Sequence, residues 1–354
     1  MSDKKVPRFG IGEWYGRSFS DLSKKDRRRL AEYKNTGKNL SSDERTRLEK
    51  YLAKQAAHEP LSKREEASLA RIQKLMEGRE QCPFKGKDQL AVCTKKGGVC
   101  SLRLYERADN NRARPLDGSA EGGLRATCPH RLHEGNMVFS WVGEVLLGNS
   151  NAKMLREVPF LKSAQSNATE PEQAEPDGGG SDKDVGQIDM VLVNEEVSLG
   201  EHPRDWCALE IQTVYFSGKE MSEEFDAILK SDGDLIFPKS ARRPDYRSCG
   251  PKRLMPQLLT KVPTLRRWGK KMAVVVDKAF FDAMGPMVAV GDVSNCDIVW
   301  FLVDYEFDQT LKRYKLIRSG KVFVTLESAV EGLTCGKPSH QVQFESQLRL
   351  RQDR

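Results

Sequence analysis

Apolar residues near the front of the chain recur at helical spacing, whereas those in its second half form short continuous runs. In the front segment the pattern L-S-x-x-[D/E]-x-x-x-L occurs three times, starting at Leu22, Leu40 and Leu61. The serine after each leucine suits a helix N-cap, and the acid three residues later completes a capping box or a close relative of one. The repeat therefore predicts three short helices.

The second half predicts an α/β fold. Residues 188–193 and 208–216 are short runs rich in strand-forming residues, and residues 272–276 and 297–303 have the near-continuous apolar texture of central strands covered on both faces. Between these pairs, residues 252–268 are expected to form a helix. The order of elements favours a mixed sheet flanked by helices.

Two local features interrupt this pattern. Proline lacks a backbone N–H, so we expect the helix at 252–268 to be interrupted near Pro263. Residues 162–184 contain six acids and no aromatic or large apolar residue. Such a segment cannot bury enough surface to offset the entropy of ordering, which predicts a flexible insert.

Composition and charge narrow the class of protein. No apolar run approaches the roughly 20 residues of a membrane span, and the first residues lack the apolar stretch of a secretory signal, so we expect a cytoplasmic protein with no membrane partner. The net charge of +7 lies entirely in residues 1–81, which hold 20 Lys/Arg against 13 Asp/Glu. This excess favours a polyanion such as nucleic acid, although a solvated helical face would give the same count.

Two acids and a glutamine form the candidate catalytic group. Asp189 lies in the first predicted strand and Glu210 in the second, and strand alternation places Gln212 on the face of Glu210. If the strands pair antiparallel, the two acids lie side by side and offer hard oxygen ligands to Mg²⁺. Such an ion lowers the pKa of a bound water and neutralises charge on phosphate oxygens.

The spacing of these residues is similar to the PD-(D/E)XK nuclease motif. Two positions depart from it, since Ile188 replaces the proline and Gln212 replaces the lysine. Glutamine supplies no positive charge and no useful proton acceptor, so the expected role of Gln212 is to orient the attacking water.

Four cysteines form a second candidate site. Cys82, Cys93, Cys100 and Cys128 fall within fewer than 50 residues. In a reducing compartment this density is typical of a closed tetrahedral structural metal site. The spacing lacks a Cys-x-x-Cys knuckle, and buried free thiols are the alternative. Thiolates suit Fe or Zn, and composition does not distinguish the two metals.

Several motifs in one order resemble the NotI family of type II restriction endonucleases, over roughly residue 81 to the C-terminus. They are Cys82-Pro83-Phe84, Val158-Pro159-Phe160-Leu161, Asp189 with Glu210-x-Gln212, Val214-Tyr215-Phe216-Ser217-Gly218, Arg243-Pro244-Asp245-Tyr246-Arg247 and Gly250-Pro251-Lys252-Arg253. The resemblance implies a PD-(D/E)XK core and Mg²⁺-dependent cleavage of double-stranded DNA at a specific GC-rich palindrome. It also implies a homodimer in a restriction-modification system with a cognate DNA methyltransferase.

The resemblance assigns roles to particular residues. Asp189, Glu210 and Gln212 become catalytic, and Glu157 takes the place of a further active-site acid. The four cysteines become ligands of a structural iron.

Guanine is read by Arg or Lys paired with its O6 and N7 atoms in the major groove. A cluster of basic residues in a loop and helix start is predicted to contact bases or phosphates, with ordinary backbone electrostatics as the alternative reading. These residues are Arg242, Arg243, Arg247, Lys252 and Arg253.

The predicted organisation has four parts. Residues 1–80 form a basic helical extension, 81–135 a four-cysteine metal-binding region, 136–345 the nuclease core with its acidic insert, and 346–354 a C-terminal tail. The extension is either an accessory module or a direct DNA contact. Two other functions stay open: a non-catalytic, metal-containing DNA-binding protein, and a structure-specific repair or recombination nuclease of the same fold.

Overall fold

The computed structural model describes residues 6–33, 40–76, 80–86, 92–116, 123–162, 184–194, 205–219, 221–334 and 339–352. The predicted acidic insert lies almost wholly outside these residues. The chain divides into two compact units. The first comprises Met1–Met137, Phe216–Pro244 and Tyr305–Ile317, and the second comprises Val138–Tyr215, Asp245–Asp304 and Arg318–Arg354.

Strands and helices are interspersed along the described residues. The strands are β1 (Arg8–Trp14), β2 (Arg17–Ser18), β3 (Val99–Arg107), β4 (Ala113–Pro115), β5 (Arg125–Ala126), β6 (Lys153–Lys162), β7 (Asp184–Val193), β8 (Trp206–Ile211), β9 (Phe216–Ser217), β10 (Arg243–Pro244), β11 (Met272–Asp277), β12 (Ile298–Asp308) and β13 (Arg313–Val324). The α-helices are α1 (Lys24–Glu32), α2 (Ser42–Ala56), α3 (Lys63–Met76), α4 (Met137–Leu147), α5 (Ser222–Lys230), α6 (Tyr246–Cys249), α7 (Met255–Arg267), α8 (Lys278–Asp282), α9 (Leu326–Thr334) and α10 (Gln341–Gln352).

The three predicted N-terminal helices are confirmed as α1, α2 and α3. The side chain of Ser23 accepts the N–H of Asp26, and Ser41 and Glu44 form a complete capping box. Helices α2 and α3 pack on each other through a small apolar cluster that includes Leu48 and Ile72. Capping satisfies N–H groups that the first turn of a helix leaves without partners, which explains why each helix begins at the repeat.

The first unit is built on an antiparallel sheet of order β2-β1-β3-β4, with β5 paired to β3. Its core is rich in aromatic side chains. Trp14 is fully buried and stacks on Phe225 with ring centroids 5.1 Å apart. A separate two-stranded sheet joins β9 and β10.

A six-stranded sheet has the order β13-β12-β11-β8-β7-β6, and its strands β6, β7, β8 and β11 lie in the second unit. Strand β11 runs parallel to β8 and β12, whereas β7 runs antiparallel to β8 and β6, so the predicted mixed sheet is confirmed. All of β11 is buried, as expected of a parallel strand covered on both faces. No helix in the described parts of the chain has the length and apolar character needed to cross a membrane.

The predicted interruption at Pro263 is wrong, because α7 continues through it from Met255 to Arg267. Pro263 lies on the exposed side of the helix, while Leu258, Val262 and Leu265 on the other side are buried. Packing of this apolar face therefore outweighs the cost of an internal proline, which is about 3 kcal/mol. The helix is preceded by a π-helical turn, Gly250–Leu254.

Candidate active site

The register of β7 and β8 places the two predicted catalytic acids opposite each other. Met190 pairs with Leu209 in this antiparallel pair, so Asp189 faces Glu210 one step further along. The two carboxyl groups interact, since Asp189 raises the pKa of Glu210. The Asp189 side chain is 54% exposed and that of Glu210 only 2%. The predicted pairing of the strands is thereby confirmed, and it creates a site with one buried and one accessible carboxyl group.

A lysine that sequence reasoning did not place in the site lies between these acids. The Nζ atom of Lys261, on α7, lies 2.9 Å from Glu210 Oε2 and 3.7 Å from Asp189 Oδ1. It also donates a hydrogen bond of 2.8 Å to Gln257 Oε1, one helical turn earlier. The side chain of Lys261 is 8% exposed, so an ammonium group is held inside the site.

Burial and the neighbouring charges set the protonation of Glu210. Removal from water disfavours its ionised form and raises the pKa of Glu210 to about 7. The ammonium of Lys261 lowers this pKa, whereas Asp189 raises it. Glu210 therefore exchanges a proton near neutral pH, which is common in acids that take part in catalysis.

An open cleft of about 630 Å³ leads to these groups. Strands β6 and β7 line one side with Phe160, Gly186 and Asp189, and α7 lines the other with Gln257, Thr260 and Lys261. The cleft gives a ligand access to Asp189 and Lys261, while Glu210 lies deeper, in β8.

Gln212 lies just beyond the end of β8, outside the strand in which it was predicted, and Glu157 lies in β6. Gln212 follows β8 directly, and its backbone N–H donates to Val275 O at 3.0 Å. Its side chain is buried and donates to the carbonyl of Thr213 at 2.7 Å. Glu157 falls between two paired positions of β6 and β7, which places it opposite Asp189. Its φ of 52° is a left-handed conformation that residues with a Cβ adopt at an energetic cost.

The predicted DNA-contact residues differ in exposure. Within the second unit, Arg247, Lys252 and Arg253 are exposed, and the guanidinium of Arg253 lies 3.6 Å from the ring centroid of Tyr215. Within the first unit, Arg243 is exposed. Arg242 is the least free of the five to reach DNA. Its side chain is 3% exposed, and its Nη1 atom is paired with Glu224 Oε1 at 2.7 Å.

The four cysteines of the candidate metal site are all buried in the first unit. Burial raises the pKa of Cys93 to about 11 and that of Cys100 well above its ordinary value. Charge on Cys82 or Cys128 would add to the rise in the pKa of Cys93. A backbone N–H from Gly16 reaches Cys100 Sγ at 3.3 Å. However, no three His, Cys, Asp or Glu side chains in the described ranges are arranged to hold a metal ion as they stand.

A buried ion pair that the sequence did not reveal lies in the same unit. The guanidinium of Arg131 is fully buried and donates to Glu13 Oε2 at 2.8 Å, and the Glu13 side chain is also fully buried. The same guanidinium lies over the ring of Phe84, at 4.7 Å from its centroid. Since Arg131 follows Cys128 and Phe84 follows Cys82 in sequence, the contact joins the two cysteine-proline segments.

Comparison with known proteins gives the class of the protein. Residues 67–316, more than two thirds of the chain, match the family model described as Restriction endonuclease NotI. Such a match defines a type II site-specific deoxyribonuclease, a hydrolase that acts on double-stranded DNA. The chain belongs to the NotI family of restriction endonucleases. The predicted enzyme class and family are thereby confirmed. No curated protein matches the chain significantly.

Proposed function

We propose that the chain hydrolyses DNA phosphodiester bonds with Mg²⁺ held by Asp189 and Glu210, in a core of the PD-(D/E)XK type. The observation that carries the proposal is the pairing of these acids across β7 and β8, at the edge of an open cleft. Two carboxylates fit a cation that takes its other ligands from water and substrate phosphate. When bound, Mg²⁺ lowers the pKa of a water molecule and neutralises charge on the phosphate.

Two further residues are assigned roles in the hydrolysis. In the reaction a water oxygen forms a bond to phosphorus, one ester P–O bond breaks, and the leaving alcohol takes up a proton. Gln212 orients the attacking water, since its amide can donate and accept hydrogen bonds but cannot supply charge. Glu157, opposite Asp189, offers a further carboxylate to the site.

Sequence recognition is assigned to the exposed basic residues. Arg243, Arg247, Lys252 and Arg253 contact bases or phosphates of a GC-rich palindrome. A palindrome has twofold symmetry, which a homodimer matches with two copies of one site. A cognate DNA methyltransferase protects the host sequence. The stack of Arg253 on Tyr215 supports a recognition role, because it orients the guanidinium before DNA arrives.

We further propose that Cys82, Cys93, Cys100 and Cys128 hold a structural Fe or Zn ion. Their burial, their mutual electrostatic effect on Cys93 and the N–H group directed at Cys100 support this assignment. Burial raises the pKa of Cys82, Cys93 and Cys100, and metal binding would hold these groups as thiolates.

The catalytic proposal is tested with Asp189→Asn, an isosteric change that removes the accessible carboxylate. We expect plasmid cleavage in Mg²⁺ to fall by about 10³-fold or more, with DNA binding in Ca²⁺ retained. Lys278→Met, at an exposed ion pair on α8, serves as the control. Cleavage by D189N at the parental rate would remove the catalytic assignment. Discrete fragments from the parental enzyme indicate sequence recognition, and random fragments favour a structure-specific nuclease.

A further inference from the structure

The ammonium group of Lys261 has more hydrogen-bonding capacity than its protein contacts use. Lysine carries three N–H donors. Two of them reach Glu210 Oε2 at 2.9 Å and Gln257 Oε1 at 2.8 Å. Asp189 Oδ1, at 3.7 Å, is too far for a hydrogen bond. Within the described residues, the third donor of Lys261 therefore has no acceptor, and this side chain lines the cleft.

The ammonium of Lys261 supplies a positive charge that Gln212 does not provide beside the two acids. Gln212, two residues after Glu210, has no positive charge and donates its amide N–H to Thr213. Lys261 supplies a positive charge beside the same two acids from α7 instead of β8. We propose that Lys261 is a catalytic residue that donates its third N–H to a non-bridging oxygen of the scissile phosphate. The inference rests on the proposed function of Asp189 and Glu210.

A fixed donor of this kind stabilises negative charge that grows on phosphate oxygens as the water attacks. It acts without reorganisation, because Glu210 and Gln257 already hold the ammonium in place. A purely structural role, in which Lys261 only fixes α7 to β8, would require no free donor toward the cleft. The two roles differ in what happens when the charge is moved to another backbone position.

The experiment compares Lys261→Met with the double variant Gln212→Lys/Lys261→Met, in the full chain. Methionine keeps most of the lysine volume and removes the charge. We expect K261M to cleave cognate DNA about 10²-fold more slowly at saturating enzyme and Mg²⁺, and the double variant to recover at least about tenfold. Lys278→Met is the matched control for loss of one lysine and should cleave at the parental rate.

A second measurement avoids cleavage altogether. Binding of cognate DNA in EDTA is followed against salt concentration. K261M should lose one phosphate contact, which should make the plot of log K against log salt less steep by about one. K278M should lose no contact and should keep the parental slope. The double variant should restore the slope.

Parental cleavage by K261M would overturn the proposal, as would an unchanged salt slope in K261M. These results are separable from failure of the proposed function. If D189N is inactive while K261M is fully active, only the role of Lys261 is wrong. If D189N itself cleaves at the parental rate, the site as a whole is wrong.

Discussion

Binding of a divalent ion to the active site should release a proton from Glu210, and the amount should depend on pH. Burial raises the pKa of Glu210 to about 7, so below neutral pH this side chain is mostly protonated in the metal-free enzyme. A divalent ion binds the ionised form and must displace that proton. With this pKa, binding of one ion should release about 0.9 proton at about pH 6 and about 0.1 at about pH 8.

Competition between the proton and the divalent ion also sets the affinity of the enzyme for the ion. Because a proton and the ion compete for Glu210, the apparent affinity should be about tenfold tighter at about pH 8 than at about pH 6 and should level off above the pKa. Isothermal titration with Mn²⁺, in pairs of buffers of different ionisation enthalpy, measures both quantities. K278M should behave as the parent enzyme, and Glu210→Gln should show no such proton release.

Release below about 0.2 proton at both pH values would refute the reasoning. It would mean that Glu210 is already ionised in the metal-free protein. The ion pair with Lys261 would then outweigh the burial of the carboxyl group, contrary to the balance inferred from the structure.

Two further predictions concern the rest of the molecule. Arg131→Met should lower the free energy of unfolding, measured in urea, by about 3–5 kcal/mol, because Glu13 would be left as a buried charge without its partner. Arg28→Met removes an exposed ion pair and should change this free energy little. Equal effects of the two substitutions would contradict the burial argument. Arg247→Ala should raise the dissociation constant for the cognate site more than that for random DNA. An equal loss on both, or the same result for Arg267→Ala, would rule out base reading.

The pairing of the two acids could be predicted because it depends on local patterns. Residues 188–193 and 208–216 carry apolar and β-branched side chains in short runs. The first run lies in β7, whereas only the start of the second, as far as Ile211, lies in β8. Once two such strands pair antiparallel, Asp189 and Glu210 fall opposite each other. The N-terminal helices were predictable for a similar reason, since a cap and its acid lie three residues apart.

The position of Lys261 in the active site was not predicted from the sequence. It occupies a position in the buried face of α7, together with Leu258, Val262 and Leu265, at the spacing of an apolar stripe. A lysine in that stripe indicates a buried charge that needs a partner, and the missing charge at Gln212 indicates where a cation was needed. Together these two signals could have identified Lys261. The same buried stripe explains why Pro263 does not end the helix.

The pairing of Glu13 with Arg131 could not be predicted from local patterns. The two residues are 118 positions apart and join β1 to the turn after Cys128. Phe9 and Ile11 lie at strand spacing from Glu13 and are buried, but no local pattern identifies Arg131 as the partner of Glu13. Their pairing follows only from the tertiary fold, in which the Arg131 guanidinium also packs over Phe84.

The charges in the active site also affect whether the divalent ion binds before or together with DNA. Lys261 faces Asp189 and Glu210, so its positive charge offsets part of the negative charge of the metal-free site. Such a site binds a divalent ion weakly, because the positive charge of Lys261 repels the ion. A bound DNA phosphate adds a negative charge and an oxygen ligand. We therefore expect DNA and the ion to bind with positive coupling, which would restrict hydrolysis to the complex with substrate.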